Sequence, residues 1–175
     1  MTAEYRPSNR LAIVDEHVRL ENLHDLHGIM RTFGNAARYD EEPWDEHHIG
    51  LAAVQSYYDA LLRALPDLHI DVRQRHAAAE TVVLEVVISG HHLGGWRGLP
   101  PTGRHVQFPL CGIFTFDQQD RLAGERIYYD RATVLRQLGV FHEPSRMRGR
   151  IEVALMHPFT TARAMARMLL GRRKV

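Results

Sequence analysis

The 175-residue sequence predicts an α+β fold in which helices pack on one face of a curved antiparallel sheet. Two observations predict it. Apolar residues recur every three to four positions in two segments of the first 65 residues, which is typical of amphipathic helices. From Leu68 to Asp130 they recur every second position, which is typical of strands. Helices that precede a run of strands favour an α+β arrangement over alternating βαβ units.

The first helical region covers residues 9–33, where apolar side chains recur at helical spacing with charged residues between them. Asn22 followed by Asp25 could restart the helix, so we expect two helices with a bend near residues 21–23. Gly34-Asn35 is expected to end this region, because glycine and asparagine commonly follow the last helical residue.

The rest of the predicted domain consists mainly of two further helices and four strands. Residues 36–42 are expected to be a short extended segment, and Gly50 to Leu65 a second amphipathic helix that Pro66 ends. A short helix over residues 132–138 is closed by Gly139. Four segments rich in Val, Ile, Phe and Tyr alternate with period two, and we expect them to form the sheet: Leu68–Arg75, Thr81–Ser89, His105–Phe116 and Leu122–Asp130.

Residues 141–175 are predicted to be a basic C-terminal extension of a domain that spans residues 1–140. From Ser145 onward the sequence contains eight Arg or Lys residues and a single acid. Residues 140–157 are expected to be irregular, and Pro158 to Leu170 to form an extra amphipathic helix. We expect its apolar stripe to dock on the protein's own surface or on a partner subunit. A basic helix that lies on a membrane or on nucleic acid is the alternative.

The composition excludes several classes of protein. The net charge of +1 argues against a protein that coats nucleic acid, and the single cysteine, Cys111, excludes an internal disulfide or a CxxC site. No run approaches the ~18 apolar residues of a membrane helix, and the segment MTAEYRPSNR lacks the apolar region of a secretory signal. We therefore expect a soluble, cytoplasmic protein with no nucleic-acid partner and no integral membrane segment.

Polar residues on the predicted strands are the candidates for chemistry. Asp130 closes the last strand directly before a helix, where a helix cap and a catalytic acid or base fit the sequence equally well. Among the 12 histidines, His92 or His105 could act as a proton shuttle in a pocket. Neighbouring histidines on a strand point to opposite faces and no HExxH spacing occurs, so no metal site is predicted.

The glycine-rich segment GHHLGGWRGLPPTGR, residues 90–104, resembles a signature of the SnoaL-like polyketide cyclase family. The resemblance covers roughly residues 10–140 and leaves the basic tail outside. It implies the cone-shaped fold of the nuclear transport factor 2-like superfamily, a curved sheet wrapped around N-terminal helices. Further segments are similar to the family's pattern: Asn22–Asp25, the Trp44 segment, Phe114–Asp117, Asp120–Asp130 and Leu135–Gly139.

The resemblance also implies a function, a cofactor-independent acid–base enzyme. Aldol cyclisation of a polyketide-like or other hydrophobic carbonyl substrate is the first hypothesis. In the family an aspartate at the end of the final long strand acts as acid and base; Asp130 matches that motif position, and His92 matches the histidine of the glycine loop. No cofactor is expected. The substrate-binding candidates are Trp44, Trp96, His105, Phe108, Phe114, Tyr128 and Arg126.

Two alternatives stay open beside cyclisation. One is an isomerase, epoxide hydrolase or dehydratase in the same cone, and the other is a non-catalytic module that binds a small ligand. Under the enzyme hypotheses, Asp130 should lie at the inner end of an apolar cone, where lost hydration raises the pKa of its carboxyl. The predicted strand Thr81–Ser89 is apolar on both sides, so its outer face needs a cover, and we expect a homodimer.

Overall fold

A computed structural model describes residues 7–171. The chain divides into two compact units, Met1–Leu138 and Gly139–Val175. None of the described helices is long and apolar enough to cross a bilayer. The domain boundary expected at residue 140 stays a prediction, because compactness alone does not establish that each part folds independently.

The predicted α+β fold is confirmed, and its elements follow the predicted order with three additions: a short strand, a helix of the second unit and the 3₁₀ turn Glu42–Trp44. In the second unit the helices are α5 (Met147–Met156) and α6 (Pro158–Gly171). In the first unit the helices are α1 (Pro7–Asn22), α2 (Leu26–Thr32), α3 (Leu51–Ala64) and α4 (Arg131–Leu138). Its strands are β1 (Phe33–Glu41), β2 (Glu46–Ile49), β3 (His69–Ala77), β4 (Thr81–His91), β5 (His105–Phe116) and β6 (Leu122–Tyr129).

The bend expected between the first two helices is confirmed. α1 ends at Asn22, and the carboxylate of Asp25 accepts a hydrogen bond from the backbone N–H of Gly28 at 2.9 Å, which caps α2. The helical region ends at Thr32, just before Gly34, as expected, and the chain then passes directly into β1, which contains Gly34. A Cβ at this position would collide with the Asp117 carboxylate, so the glycine permits a close approach.

The six strands form one sheet in the order β2-β1-β6-β5-β4-β3. Neighbouring strands are antiparallel except β1 and β6, which are parallel, so the expectation of a wholly antiparallel sheet is wrong at this pair. β1 and β6 lie far apart in the sequence, and no hairpin turn constrains their direction. α1 packs against β3 and α3 against β1, which places the N-terminal helices against the sheet.

Among these additions, the strand and the helix were missed for different reasons. β2 is a four-residue edge strand, Glu46 to Ile49, whose sequence has no apolar alternation. α5 lies in the stretch that was expected to be irregular, and that expectation is wrong. Its apolar residues Met147, Ile151 and Leu155 are four positions apart, but Gly149 weakens the helical signal.

Strand β4 shows how the sheet divides its two faces. Its inward side chains are buried, whereas Val83 and Val87 on the outer face are only half-buried. Val83 lies opposite Ile113 of β5, so apolar side chains of two strands meet on that outer face. The expected homodimer stays a prediction, and this face would be its interface.

The side chain of Asn22 fastens the end of α1 to the edge strand β3. Its Oδ1 accepts from the backbone N–H of Ile70 at 2.7 Å, and its Nδ2 donates to the Ile70 carbonyl at 3.0 Å. The amide thus satisfies both backbone groups of one residue on the outermost strand. Both groups would otherwise have to find water or remain unpaired in a half-buried position.

Replacing Asn22 by alanine is therefore expected to lower the free energy of unfolding by roughly 1–3 kcal/mol, since two hydrogen bonds are lost together. Chemical denaturation measures this. Asn9→Ala makes the same chemical change at an exposed position of the same helix and should leave the stability almost unchanged. Equal effects of the two substitutions would contradict the assigned role of Asn22.

Candidate active site

An apolar cavity of about 830 Å³, a volume that includes its opening to solvent, lies within the first unit. The sheet supplies most of its wall, including Leu84, Val86, Val106 and Phe108, and the helices α1, α3 and α4 with neighbouring loops supply the rest. A lining of this kind suits a hydrophobic small molecule. The polar side chains that interrupt the apolar wall are therefore informative, and they are Glu21, Tyr39, Glu41, Tyr57, His92, Glu125 and Tyr129.

The first polar group, which we call the histidine–glutamate cluster, consists of His17, Glu21, Tyr58 and Glu125. His17 and Glu21 are one turn apart on α1, Tyr58 is on α3, and Glu125 is on β6. All four side chains are buried, and His17 and Tyr58 are almost completely removed from solvent. Glu21 and Glu125 line the cavity, so the cluster presents two carboxyl groups to whatever occupies it.

The hydrogen bonds of the cluster indicate that His17 is a cation. The Thr32 hydroxyl donates to the Ile29 carbonyl, so its oxygen accepts from Nδ1–H of His17 at 2.7 Å. The Tyr58 hydroxyl donates to Glu125 at 2.7 Å, so its oxygen accepts from Nε2–H of His17 at 3.0 Å. An imidazole that donates from both nitrogens is an imidazolium.

The charges around His17 agree with this assignment. Burial disfavours the imidazolium, but the carboxylates of Glu21 and Glu125, at 3.8 and 3.5 Å from Nε2, more than offset it and raise the pKa of His17. Burial also raises the pKa of Glu21 to about 7, assisted by the like charge of Glu125 and opposed by His17. Glu21 can therefore both take up and release a proton near neutral pH.

The same residues have the composition of a possible metal site. One ligand atom from each of His17, Glu21 and Glu125 lies within 4.8 Å of the other two. The Tyr58 hydroxyl already bonds to His17 and to Glu125, which satisfies these two groups without an ion. The expectation that the protein needs no metal stays a prediction, and the experiment on the proposed function includes a test of it.

A second polar group, which we call the arginine–tryptophan cluster, consists of Glu41, Trp44, Trp96, Arg97 and Tyr129. The buried carboxylate of Glu41 accepts hydrogen bonds from Arg97 and from the Tyr129 hydroxyl, and Trp44 donates from Nε1 to that hydroxyl at 2.6 Å. The Arg97 guanidinium lies over both indole rings, 4.5 and 5.2 Å from their centroids.

The buried acid of this cluster, Glu41, is already bonded to two donors. Burial raises the pKa of Glu41, although Tyr129 and Arg97 oppose the shift. Burial and the charge of Glu41 also raise the pKa of Tyr129, so its hydroxyl remains protonated. An acid that is bonded to both a guanidinium and a phenol is poorly placed to accept a further proton. We therefore assign this cluster a structural role in the wall of the cavity.

His92 supplies a single hydrogen-bond donor on the cavity wall. Its Nδ1 accepts from the backbone N–H of Thr102 at 3.2 Å, and burial lowers the pKa of the ring. The ring is therefore neutral and carries its hydrogen on Nε2. Nε2 is buried and has no hydrogen-bond partner among the described residues. An unpaired N–H on the lining of a cavity is suited to bind a ligand oxygen.

Several predicted site residues do lie at the cavity. His92, Trp96, Phe108 and Phe114 line it, and the ring of Phe114 also meets the ring of His17 edge-on at 6.1 Å. Trp44 contacts Trp96 in a T-shaped pair at 5.7 Å and belongs to the arginine–tryptophan cluster.

The structure places the other candidates on the outside. Strand β6 turns Glu125, Ile127 and Tyr129 inward, so Arg126 and Tyr128 are exposed on the opposite face. The expectation that they bind substrate assumed the wrong face of the strand. His105 is also exposed, and its ring contacts that of His91 in a tilted arrangement with ring centroids 4.9 Å apart.

Asp130 is exposed, and it caps α4. Its carboxylate accepts hydrogen bonds from the Thr133 hydroxyl at 2.5 Å and from the backbone N–H of Ala132 at 2.9 Å. The bond from Thr133 and that from Ala132 lower the pKa of the carboxyl despite slight desolvation. The expectation of a buried Asp130 with a raised pKa is wrong, since the residue shares the outward face of Arg126 and Tyr128.

The histidine–glutamate cluster was missed at the level of sequence, although a signal for it exists. Val14, His17, Val18 and Glu21 follow the i, i+3, i+4, i+7 spacing of one helix face. A histidine and a glutamate on the apolar face of a helix must be buried together. Glu125 shares the inward face of β6 with Ile127, which gives a second signal of the same kind.

Comparisons with known proteins agree with the geometry of the first unit. The model of the family described as SnoaL-like polyketide cyclase matches residues 12–138. No functionally curated protein matches the chain. Many solved structures share the fold, and three illustrate its range.

AclR from Streptomyces galilaeus, a proposed hydroxylase, is 24% identical, with a TM-score of 0.69 over 79% of this chain and 89% of its own. A proposed SnoaL-like polyketide cyclase from Jannaschia sp. CCS1 is 19% identical, with a TM-score of 0.66 over 78% and 97%. A nuclear transport factor 2-like protein of unknown function from Burkholderia pseudomallei K96243 is 14% identical, with a TM-score of 0.65 over 75% and 98%. These likenesses confirm the expected cone fold and do not define a reaction.

The raised pKa values make a prediction about stability. A group whose pKa is higher in the folded than in the unfolded state stabilises the fold at low pH, and this stabilisation is lost as the pH rises through the folded value. Glu21 has an ordinary pKa of 4.5 and a folded value of about 7, and His17 shifts in the same direction. The free energy of unfolding should therefore fall between about pH 5 and pH 8.

The variant Glu21→Gln removes the carboxyl group with this raised pKa. Between about pH 5 and pH 8, its free energy of unfolding should therefore fall by roughly 1–3 kcal/mol less than that of the unaltered protein. Urea denaturation at a series of pH values measures the difference. Glu16→Gln, on the exposed side of the same helix, is the matched control and should keep the pH dependence of the unaltered protein. Parallel curves for Glu21→Gln and the unaltered protein would contradict the assigned shift.

Proposed function

The chain belongs to the SnoaL-like polyketide cyclase family, and from this premise we propose that it is a cofactor-independent acid–base enzyme acting on a hydrophobic carbonyl compound. Aldol ring closure is the reaction that the site supports best. The observation that carries the proposal is a pair of buried carboxyl groups, Glu21 and Glu125, on the wall of an apolar cavity with the imidazolium of His17 beside both.

Glu21 is the proposed base. Its pKa of about 7 lets it exist as a carboxylate at neutral pH and still bind a proton strongly, which is the balance that general base catalysis needs. Glu125 is less available, because its Oε2 already accepts the Tyr58 hydroxyl. His17 and Tyr58 are positioning residues, since the Tyr58 hydroxyl donates to Glu125 and the His17 ring lies beside both carboxyl groups.

The proposed reaction balances without any cofactor. A carboxylate oxygen of Glu21 takes a proton from the carbon next to the substrate carbonyl, and the electron pair of that C–H bond forms an enolate. The Nε2–H of His92 donates a hydrogen bond to the enolate oxygen. The enolate carbon then attacks a second carbonyl of the same molecule, and the new alkoxide takes the proton back from Glu21.

Asp130, which occupies the motif position of the family's catalytic aspartate, has a different role in this proposal. Each oxygen of its carboxylate accepts a hydrogen bond, from Ala132 or from Thr133, and its side chain is exposed. We assign it to the N-terminus of α4, where its loss would affect stability before it affects proton transfer.

The test measures the first step alone, because the natural substrate is unidentified. With 2-tetralone as a hydrophobic ketone probe in deuterium oxide, NMR follows replacement of the protons next to the carbonyl. Glu21→Gln should slow the protein-catalysed exchange by about two orders of magnitude or more. Asp130→Asn, which preserves the cap, is the matched control and should retain the exchange rate.

Further measurements distinguish a metal-dependent reaction, a non-catalytic binding module and a different catalytic base. Dialysis against a chelator should leave the exchange rate unchanged, and a loss restored by a divalent ion would overturn the metal-free mechanism. Quenching of Trp96, on the cavity wall, reports whether the probe binds. Saturable binding without exchange would contradict catalysis and favour the binding module. Loss of exchange in Asp130→Asn but not in Glu21→Gln would contradict the assignment of the base.

A further inference from the structure

The second unit carries a strong positive charge that the first unit does not share. Residues 145–175 contain eight Arg or Lys and one acid, Glu152, which gives a local charge of +7, while the whole chain has +1. The carboxylate of Glu152 lies 2.8 Å from Nδ1 of His142, so part of this single negative charge is already engaged. The surface is therefore suited to an anionic partner.

Large apolar side chains lie beside these charges and are exposed. On α6 the side chains of Phe159, Met165 and Leu169 are 89%, 58% and 62% exposed, and helical spacing places all three on one side. Arg163 and Arg167, one turn apart, border this stripe. No residue of the unit covers the stripe among the residues whose side chains are described.

α5 repeats the arrangement. Met147, Ile151 and Leu155 are four positions apart and exposed, with Arg148 adjacent on the helix. Two helices in succession thus combine exposed apolar side chains with arginines. Monomeric proteins seldom leave such a surface uncovered, which points to a binding function.

The chemistry of the surface discriminates among the possible occupants. Two copies of residues 145–175 would each bring a charge of +7, so like charges oppose self-association. Nucleic acid would neutralise the arginines, but its phosphate backbone offers nothing to Phe159 or Leu169. A bilayer with anionic headgroups satisfies both features, because the apolar side chains enter the acyl boundary while guanidinium groups remain at the phosphates.

We propose that residues 145–171 are a peripheral attachment site for membranes rich in anionic phospholipid. The attachment is interfacial: α6 has 14 residues and is about 21 Å long, shorter than the ~30 Å hydrocarbon core. Binding needs both components, since arginines near an anionic surface attract it and buried apolar area holds the helix there. This inference is independent of the chemistry in the cavity.

Flotation of the full chain with vesicles tests the proposal. Vesicles of phosphatidylcholine with about one third phosphatidylglycerol should bind the protein, vesicles of phosphatidylcholine alone should bind it at least tenfold more weakly, and added salt should weaken binding. Arg163→Gln with Arg167→Gln should reduce binding on the order of tenfold. Phe159→Ser with Leu169→Ser should reduce it by a similar factor, through lost apolar contact.

A matched control replaces two exposed arginines of the first unit, Arg31→Gln with Arg104→Gln, and should retain vesicle binding. Equal loss in the control would overturn the proposal, because any arginine would then serve. A lower melting temperature of the Phe159→Ser, Leu169→Ser variant without vesicles would also overturn it, since the stripe would then pack on the protein itself. Tight binding to duplex DNA that the serine substitutions leave unchanged would assign the surface to nucleic acid instead.

Discussion

The ion-paired burial of His17 is the constraint on which the rest of the first unit depends. A cation that is removed from water must be paired, because isolated charges are very costly in a protein interior. Its partners come from four separate elements: Thr32 at the end of α2, Tyr58 on α3, Glu125 on β6 and Glu21 on its own helix. Satisfying one imidazolium therefore fixes three helices and the central part of the sheet relative to one another.

This constraint also underlies the proton transfer that we propose for the cavity. Two carboxyl groups on an apolar wall would repel each other and raise the cost of burial, but the shared cation permits both. The arrangement leaves one carboxyl engaged by Tyr58 and the other free to exchange a proton near neutral pH. A buried ion pair is by itself weak evidence of a stabilising role, so we attribute these ionic groups to the chemistry proposed for the cavity.

The sequence predicted the fold well and the site only in part, and the difference has a physical cause. Strand and helix periods are repeated over many residues, so β5 was located without error and the bend before Asp25 was found. Side chains of β6 alternate between its two faces, and the sequence does not show which face points inward. Choosing the wrong face made Asp130, rather than Glu125, the candidate for the cavity. Glu41 and Arg97 meet across 56 residues, a contact that no local spacing could predict.

The protonation state of His17 at neutral pH is the central claim, and nitrogen-15 NMR of the labelled protein tests it most directly. The account predicts that both ring nitrogens of His17 carry hydrogen at pH 7 and that Glu21→Gln makes the ring lose a proton at lower pH, because one of two carboxylates beside it is gone. A neutral His17 ring at pH 7, with one nitrogen unprotonated in the unaltered protein, would contradict it.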